Sequence, residues 1–344
     1  MKTQYANAVT QYENGTSLGG RIIKEGGLVV FPTETVYGLG ANGLNSEAVL
    51  KIFAAKGRPA DNPLILHIAK KSELKPLWSH VPDNARILAD TFWPGPLTMI
   101  FNRSSIVPDE VTAGLDTVAV RMPLNKTARA LINAAGVPIA APSANLSGKP
   151  SPTTAEHVRQ DMDGRVDLII DGGPCKYGLE STVVSLIGRP TILRPGAVTK
   201  EMLEAVIGPV DVAHAVLSPL REGETAASPG MKYRHYAPDA EVVVAEGRER
   251  DIAAKICREY DAREAAGEYC IIFATKQTQP FYRGRNCVII GDRTEPATLC
   301  ASLFYSLREY GGRADVIFAE ALPNDDMGLA YMNRLLRSAG FNII

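Results

Sequence analysis

The chain has 344 residues, 45% of them hydrophobic and 22% charged, with a formal net charge of −1. Its length sets an expectation of two domains, each large enough to bury a core. A near-neutral balance excludes a polyanion coat protein, so any anion binding rests on a local cluster of basic groups.

The opening MKTQYANAVTQYENG lacks the apolar core of a secretory signal. No run of about 18 uncharged apolar residues points to a spanning helix. The five cysteines, Cys175, Cys257, Cys270, Cys287 and Cys300, are far apart and form no C-x-x-C pair. The expectation is free thiols in a cytoplasmic protein with no membrane association.

Strands and helices alternate along the first half. Residues 27–32 (GLVVFP) read as a short strand, followed by a turn rich in Gly and Thr. Asn45 caps a helix through AVLKIFAAK that stops near Gly57 and Pro59. Residues 64–69 (LILHIA) are strand, and 85–92 are helix ending at Trp93-Pro94-Gly95-Pro96. Strands at 97–101 and 117–122, a helix at 126–135 and a strand at 137–141 follow. Thr153 is placed at a helix cap. Strands at 166–170, 182–186 and 191–193 and a helix at 200–207 complete the run. The late excess of strands predicts a mixed sheet.

From 209 to 238 the periodicity breaks down around Pro219, Gly223, Pro229 and Gly230. Connections of this length are linkers or lids. A second alternation then begins, with strands at 241–245, 269–274, 286–290 and 315–319 and helices at 250–265, 297–310 and 327–339. The rhythm is Rossmann-like. No G-x-G-x-x-G, P-loop, H-E-x-x-H or G-x-S-x-G accompanies it.

The first half carries several polar strings at element ends, where α/β sheets bind ligands. FPTETVYGLG at 31–40 offers two hydroxyls, a carboxylate and two glycines; the plain alternative is an ordinary turn. Lys56-Gly57-Arg58-Pro59 closes a helix, where cations complement the helix dipole or clamp phosphate. Asp61-Asn62-Pro63 continues that loop. His67 interrupts an apolar strand on the face of Ile65 and Ala69, as either a core histidine or a ligand. Arg121 ends another strand, on the face of Thr117 and Ala119, as either an ion-pair partner or a carboxylate anchor. APSANLSG at 141–148 is a polar turn able to cradle an anion or a ribose. Ser181 enters a strand and Arg194 ends one. If Lys56, Arg58, Arg121 and Arg194 converge, they form a cationic cavity suited to a triphosphate. The alternative from another class is an RNA-binding module. The net charge and the lack of an aromatic basic stripe count against it.

FPTETVYGLG, KGRP, NPLILHI, FWPGPLT, VAVRMP, APSANLSG, ESTVV and ILRPG occur in this order. Together they resemble the YrdC-like family in its long form, the two-domain threonylcarbamoyl-AMP synthases. The string SPGMKYRHYAP at 228–238 is similar to that form's linker. The resemblance implies an α/β fold: a YrdC-like mixed twisted sheet with helices around a basic cavity, plus a smaller Rossmann-like C-terminal domain. It implies a catalytic domain at 1–208, a linker or lid at 209–238 and a C-terminal domain at 239–344. It further implies a nucleotidyltransferase using ATP, L-threonine and bicarbonate. The product is threonylcarbamoyl-AMP, which a separate transferase uses to modify tRNA adenosine beside the anticodon, so tRNA is involved only indirectly. Carried over by position, Thr35, His67, Arg121, Ala141 and Ser181 form the threonine pocket. Lys56, Arg58, Asn62, Thr117, Ser143, Asn145, Ser151, Arg194 and Tyr236 form the nucleotide pocket, with Lys56 and Arg58 catalytic and Tyr236 on a flap. Mg2+ is expected on the ATP phosphates, with no dedicated protein ligands.

Overall fold

Asn45 and Gly57 bound their helix as the sequence predicts. The Asn45 side chain accepts from the Ala48 amide, and Gly57 closes the helix in the left-handed region at φ 62°. These details come from a computed structural model that describes residues 2–8, 12–219 and 235–344. Two units emerge, Met1–Ser147 with Ser151–Lys232, and Gly148–Pro150 with Tyr233–Ile344. The three residues 148–150 thus group with the second unit, an arrangement that sequence order does not suggest.

The first unit runs β1 (Gln4–Asn7), α1 (Tyr12–Lys24), β2 (Val29–Phe31), β3 (Gly38–Asn42), α2 (Ser46–Lys56), β4 (Ile65–His67), α3 (Asp83–Phe92), β5 (Leu97–Asn102) and α4 (Asp109–Thr112). It continues with β6 (Thr117–Arg121), α5 (Lys126–Ala135), β7 (Ile139–Ala140), α6 (Ala155–Met162), β8 (Leu168–Asp171), β9 (Thr182–Ser185), β10 (Thr191–Arg194), α7 (Lys200–Ile207) and β11 (Asp211–Val212). Among the described residues the strands form one mixed sheet, ordered β1-β8-β2-β3-β7-β4-β6-β5-β9-β10-β11. Pairing is parallel at β4–β6 and β5–β9 and antiparallel at β2–β3 and β5–β6.

Alternation along a strand sends neighbouring side chains to opposite faces. Val30, Leu39, Leu66, Met99, Val120 and Val184 enter one core. Val29, Phe31, Ile139, Leu168 and Ile170 enter another, beneath α1 and α5. Burial on both faces explains why these strands read as continuous apolar runs.

Three sequence readings change. The helix cap is Thr154, not Thr153: the Thr154 hydroxyl accepts from the His157 amide, while the Thr153 amide donates to His157 Nδ1. The Gly-rich stretch after residue 37 is strand β3, not turn. Its glycines are needed for contact, since a Cβ on Gly40 would lie 2.7 Å from Ile139 and 2.8 Å from Phe31. Helix α1 escapes a pattern search because Gly15, Gly19 and Gly20 resemble breakers. They let α1 close on α5: a Cβ on Gly20 would sit 2.6 Å from the Ala134 Cβ and 2.7 Å from its carbonyl carbon.

The second unit carries β12 (Glu241–Ala245), α8 (Glu249–Ala265), β13 (Cys270–Thr275), β14 (Cys287–Gly291), α9 (Pro296–Tyr310), β15 (Val316–Glu320) and α10 (Asp326–Ser338). Its sheet is parallel throughout, in the order β12-β15-β13-β14. Buried Glu320 at the carboxyl end of β15 accepts from Thr275, Thr278, Tyr282 and Arg293. The charge is therefore fully partnered. No helix among the described residues is long and apolar enough to cross a membrane.

The α1–α5 contact yields a test. Gly20→Ala should cost about 1–3 kcal/mol by overpacking. Gly312→Ala, where an added Cβ meets nothing within 4 Å, should stay within about 0.5 kcal/mol. Urea-unfolding curves of the two variants measure both.

Candidate active site

The site grows from a turn. The Thr33 hydroxyl accepts from the amides of Thr35 and Val36 and donates to the Val36 carbonyl. This side-chain-to-backbone closure sets Glu34 and Thr35 side by side after β2. Both meet Arg121 at the end of β6. Arg121 Nη2 donates to Glu34 Oε1 at 2.6 Å, Nη1 to Thr35 Oγ1 at 2.9 Å, and Nε to the Gly95 carbonyl at 3.4 Å. Glu34 Oε2 accepts from the Asn125 amide at 3.1 Å. The ion pair is buried, with 4% and 5% of the two side chains exposed. Burial alone would raise the Glu34 pKa, but the Arg121 charge and hydrogen bond prevail and hold it below the usual carboxylate value.

Register builds the rest of this face. His67 on β4 and Thr98 on β5 both pair with Arg121. Val183 pairs with Thr98 and, across a bulge, with Arg194. One row away, Ile65 and Ile100 pair with Ala119. With Val183 and Leu193 they form a small apolar floor. Ser181 Oγ lies 2.8 Å from Thr98 Oγ1 and accepts from Arg194 Nη2 at 3.2 Å; Arg194 Nε donates to the Ser181 carbonyl. The Ala141 amide donates to the Ile65 carbonyl at 2.9 Å, which fixes the end of β7 against β4. Thr35, His67, Arg121, Ala141, Ser181 and Arg194 therefore share one region.

His67 is fully buried, edge-on to Phe31 with ring centroids 6.1 Å apart, and its Nδ1 is 3.1 Å from the Ile65 carbonyl. Burial, then the Arg121 charge, pushes its pKa down to about 3. The imidazole is neutral at any ordinary pH.

A second group lies at the end of α2. Lys56 Nζ donates to the carbonyls of Ser143 and Asn145 at 2.5 and 2.6 Å. The Ser143 hydroxyl donates to Asn145 Oδ1. Lys56 thus organises the APSAN loop as well as supplying charge. The loop in turn pairs with the FPTETVYG segment, through the bridge between Gly38 and Ser143 and the Ala144 amide on the Tyr37 carbonyl. Arg58 Nη2 donates to the Asn62 carbonyl at 2.7 Å. The Asn62 side chain has no exposure, and neither its Oδ1 nor its Nδ2 has a hydrogen-bond partner among the described residues. A buried amide left without a partner costs about 1–3 kcal/mol. Ser151 Oγ donates to Glu180 Oε1 at 2.5 Å, beside Ser181.

One expected residue stands apart. Thr117 begins β6 on the Arg121 face, four residues or about 13 Å away, and no hydrogen bond joins it to either group. Tyr236 belongs to the second unit, at φ 64°, with its ring 4.9 Å from that of Phe304. Half of the expected lid, residues 220–234, lies outside the described residues. Sequence reasoning overlooked Thr98, and it noted Glu34 only as the carboxylate of FPTETVYGLG, without a partner. The signal for Thr98 is its strand register opposite Arg121. No group of three or more His, Cys, Asp or Glu able to hold a metal occurs among the described residues.

Residues 21–196 match the family described as "Telomere recombination" (Sua5/YciO/YrdC), and 198–340 match "Threonylcarbamoyl-AMP synthase, C-terminal domain". The chain belongs to the Sua5/YciO/YrdC family. Within it, the chain is similar to the threonylcarbamoyl-AMP synthase of Bacillus subtilis, 47% identical over 94% of this chain and 92% of that one. It is equally similar to that of Pyrococcus abyssi, 47% identical over 94% and 93%. A crystal structure of P. abyssi Sua5 complexed with L-threonine superposes with a TM-score of 0.92 at 44% identity, covering 100% of this chain and 99% of the other. The likeness to Sua5 spans both units.

Neutral His67 carries a signature in stability. The unfolded chain takes up a proton near pH 6.5 and the folded chain only near pH 3, so stability falls as pH drops through that window. Between pH 7 and 5 this group accounts for about 2 kcal/mol. His67→Gln should lose about that much less than the wild type over the same interval, as read by urea unfolding at each pH. Parallel curves would refute it.

Proposed function

We propose that the chain is an L-threonylcarbamoyladenylate synthase, converting L-threonine, bicarbonate and ATP to threonylcarbamoyl-AMP and pyrophosphate for tRNA modification beside the anticodon. The observation that carries this reading is the state of Arg121. A guanidinium has five N–H groups, and three are engaged by Glu34, Thr35 and Gly95. One N–H on each Nη remains for a further acceptor, and a carboxylate has the two oxygens to take them. The surrounding hydroxyls of Thr35 and Ser181 and the neutral His67 suit the rest of a hydroxy amino acid. The relatives named for this activity, and the threonine complex of one of them, support the same choice.

The nucleotide belongs with Lys56, Arg58, Asn62, Ser143, Asn145, Ser151 and Arg194, with Thr117 at the far end of the apolar floor. In the first step the threonine amine attacks the carbon of bicarbonate, giving a carbamate and water. A carbamate oxygen then attacks the α-phosphorus and pyrophosphate leaves. Arg121 orients the amino acid. Arg58 and Lys56 offset the charge that grows on the departing phosphates. No covalent nucleophile is required. Cys175 is unsuited to that role, since burial and then the Glu34 charge push its thiol well up. Catalysis is positioning and electrostatics. Glu34 is already spent on Arg121 and Asn125, and Glu180 accepts from Ser151. A divalent cation such as Mg2+ would therefore ride on the ATP phosphates, where it adds charge neutralisation. We assign the chemistry to the first unit and place the protein in the cytoplasm, with the transferase that consumes the product as a downstream partner.

The test is threonine-dependent pyrophosphate release from ATP in bicarbonate buffer. Wild type should release pyrophosphate only when threonine is present. Arg58→Ala and Lys56→Ala should lower kcat/KM by about 10²–10³ with an unchanged circular dichroism spectrum. Near-wild-type turnover in either variant would show the phosphate clamp to be misassigned. RNA binding without threonine-dependent release would favour the RNA-binding module instead.

A further inference from the structure

Glu34 has no part in the scheme above, yet both of its carboxylate oxygens are held on this face. Its two carboxylate oxygens are held by different elements, Oε1 by Arg121 at the end of β6 and Oε2 by the Asn125 amide at the start of α5. Asn125 is itself fixed, because its side chain caps α5 by accepting from the Thr127 and Ala128 amides. The Glu34 carbonyl accepts from the Tyr177 amide. The Glu34 carboxylate therefore cannot turn away without breaking contacts to two separate segments, and its backbone is held by a third.

Two consequences follow from the charges. An unpaired buried arginine is costly and attracts any available anion. Pairing with Glu34 removes that cost and holds the guanidinium with its remaining fork aimed in one direction. The pair is close to neutral, and the adjacent His67 adds no charge because its pKa is pushed far below neutrality. A substrate carboxylate arriving alone would leave the Glu34–Arg121 pair and its ligand with a net charge of −1, while Arg194 is engaged with Ser181 on the other side of Thr98. A substrate carrying its own ammonium restores neutrality. We propose that Glu34 is a positioning and charge-matching residue that makes the Arg121 pocket select zwitterionic α-amino acids over simple carboxylate anions. Glu34 is not a proton acceptor in this role: both of its oxygens are occupied, and Arg121 keeps it ionised. This inference rests on the assignment of the Arg121 fork to an amino-acid carboxylate.

The probe is 3-hydroxybutyrate, which is threonine without its ammonium. Titration calorimetry on the full chain should show 3-hydroxybutyrate binding at least about tenfold more weakly than L-threonine to the wild type, a penalty of about 1.4 kcal/mol. Glu34→Gln keeps an acceptor for Arg121 but removes the charge. It should weaken threonine binding and narrow the gap between the two ligands by about tenfold. Glu34→Asp keeps the charge and should preserve the gap within about threefold while weakening both ligands. A merely structural role would weaken both ligands equally in Glu34→Gln and leave the gap untouched, and that result overturns the proposal. Should Glu34→Gln fail to fold, the wild type still decides: equal affinity for the two ligands overturns the proposal. A wild type that binds no threonine at all refutes the threonine assignment itself, a different failure from either of these.

Discussion

The candidate site depends on one buried ion pair. Arg121 ends an interior strand at 4% exposure, where an unmatched guanidinium would carry a desolvation penalty of several kcal/mol. Glu34 supplies the matching charge, and the Thr33 turn delivers it. The rest of the arrangement is a consequence of that match. Thr35 is drawn to the same guanidinium, and Asn125 ties the carboxylate to the start of α5. The segment 31–40 is therefore a designed support for an arginine, with a loop geometry set by the Thr33 hydroxyl.

Strand register then converts this point into a surface. His67, Thr98 and Val183 fall into one row with Arg121 and Arg194, and Ile65, Ala119 and Ile100 form the row beneath. One face thus presents polar groups at one end and an apolar floor beside them. At the end of α2, Lys56 holds the loop of Ser143 and Asn145, and the buried Asn62 side chain has no hydrogen-bond partner among the described residues.

Much of this was legible in the sequence, for physical reasons that differ by element. Helices α5 and α7 appear with the predicted bounds, and α5 carries an asparagine cap and a closing glycine. Strands β13 and β15 of the second unit read clearly because both of their faces are buried. Helix α1 and strand β3 stayed hidden because their glycines serve close packing, and in sequence such glycines look the same as turn glycines. The site residues were visible as polar interruptions at element ends, but their partners were not. No local pattern announces that Glu34 meets an arginine 87 residues later, or that Thr98 stands opposite it. Nor does composition reveal that Asn62 is wholly buried without a partner. Those facts belong to the sheet order, in which six of the ten neighbouring strand pairs of the first unit are not consecutive in the chain.

The central claim is that the open fork of Arg121 receives the carboxylate of L-threonine. The most direct measurement is calorimetric titration of the wild-type chain with L-threonine and with L-threoninamide, which differs only in that carboxylate. The expected result is measurable threonine binding and threoninamide binding at least about tenfold weaker, since a charge-assisted bidentate contact is lost. Equal binding of the two would contradict the assignment of Arg121 and with it the arrangement of the site.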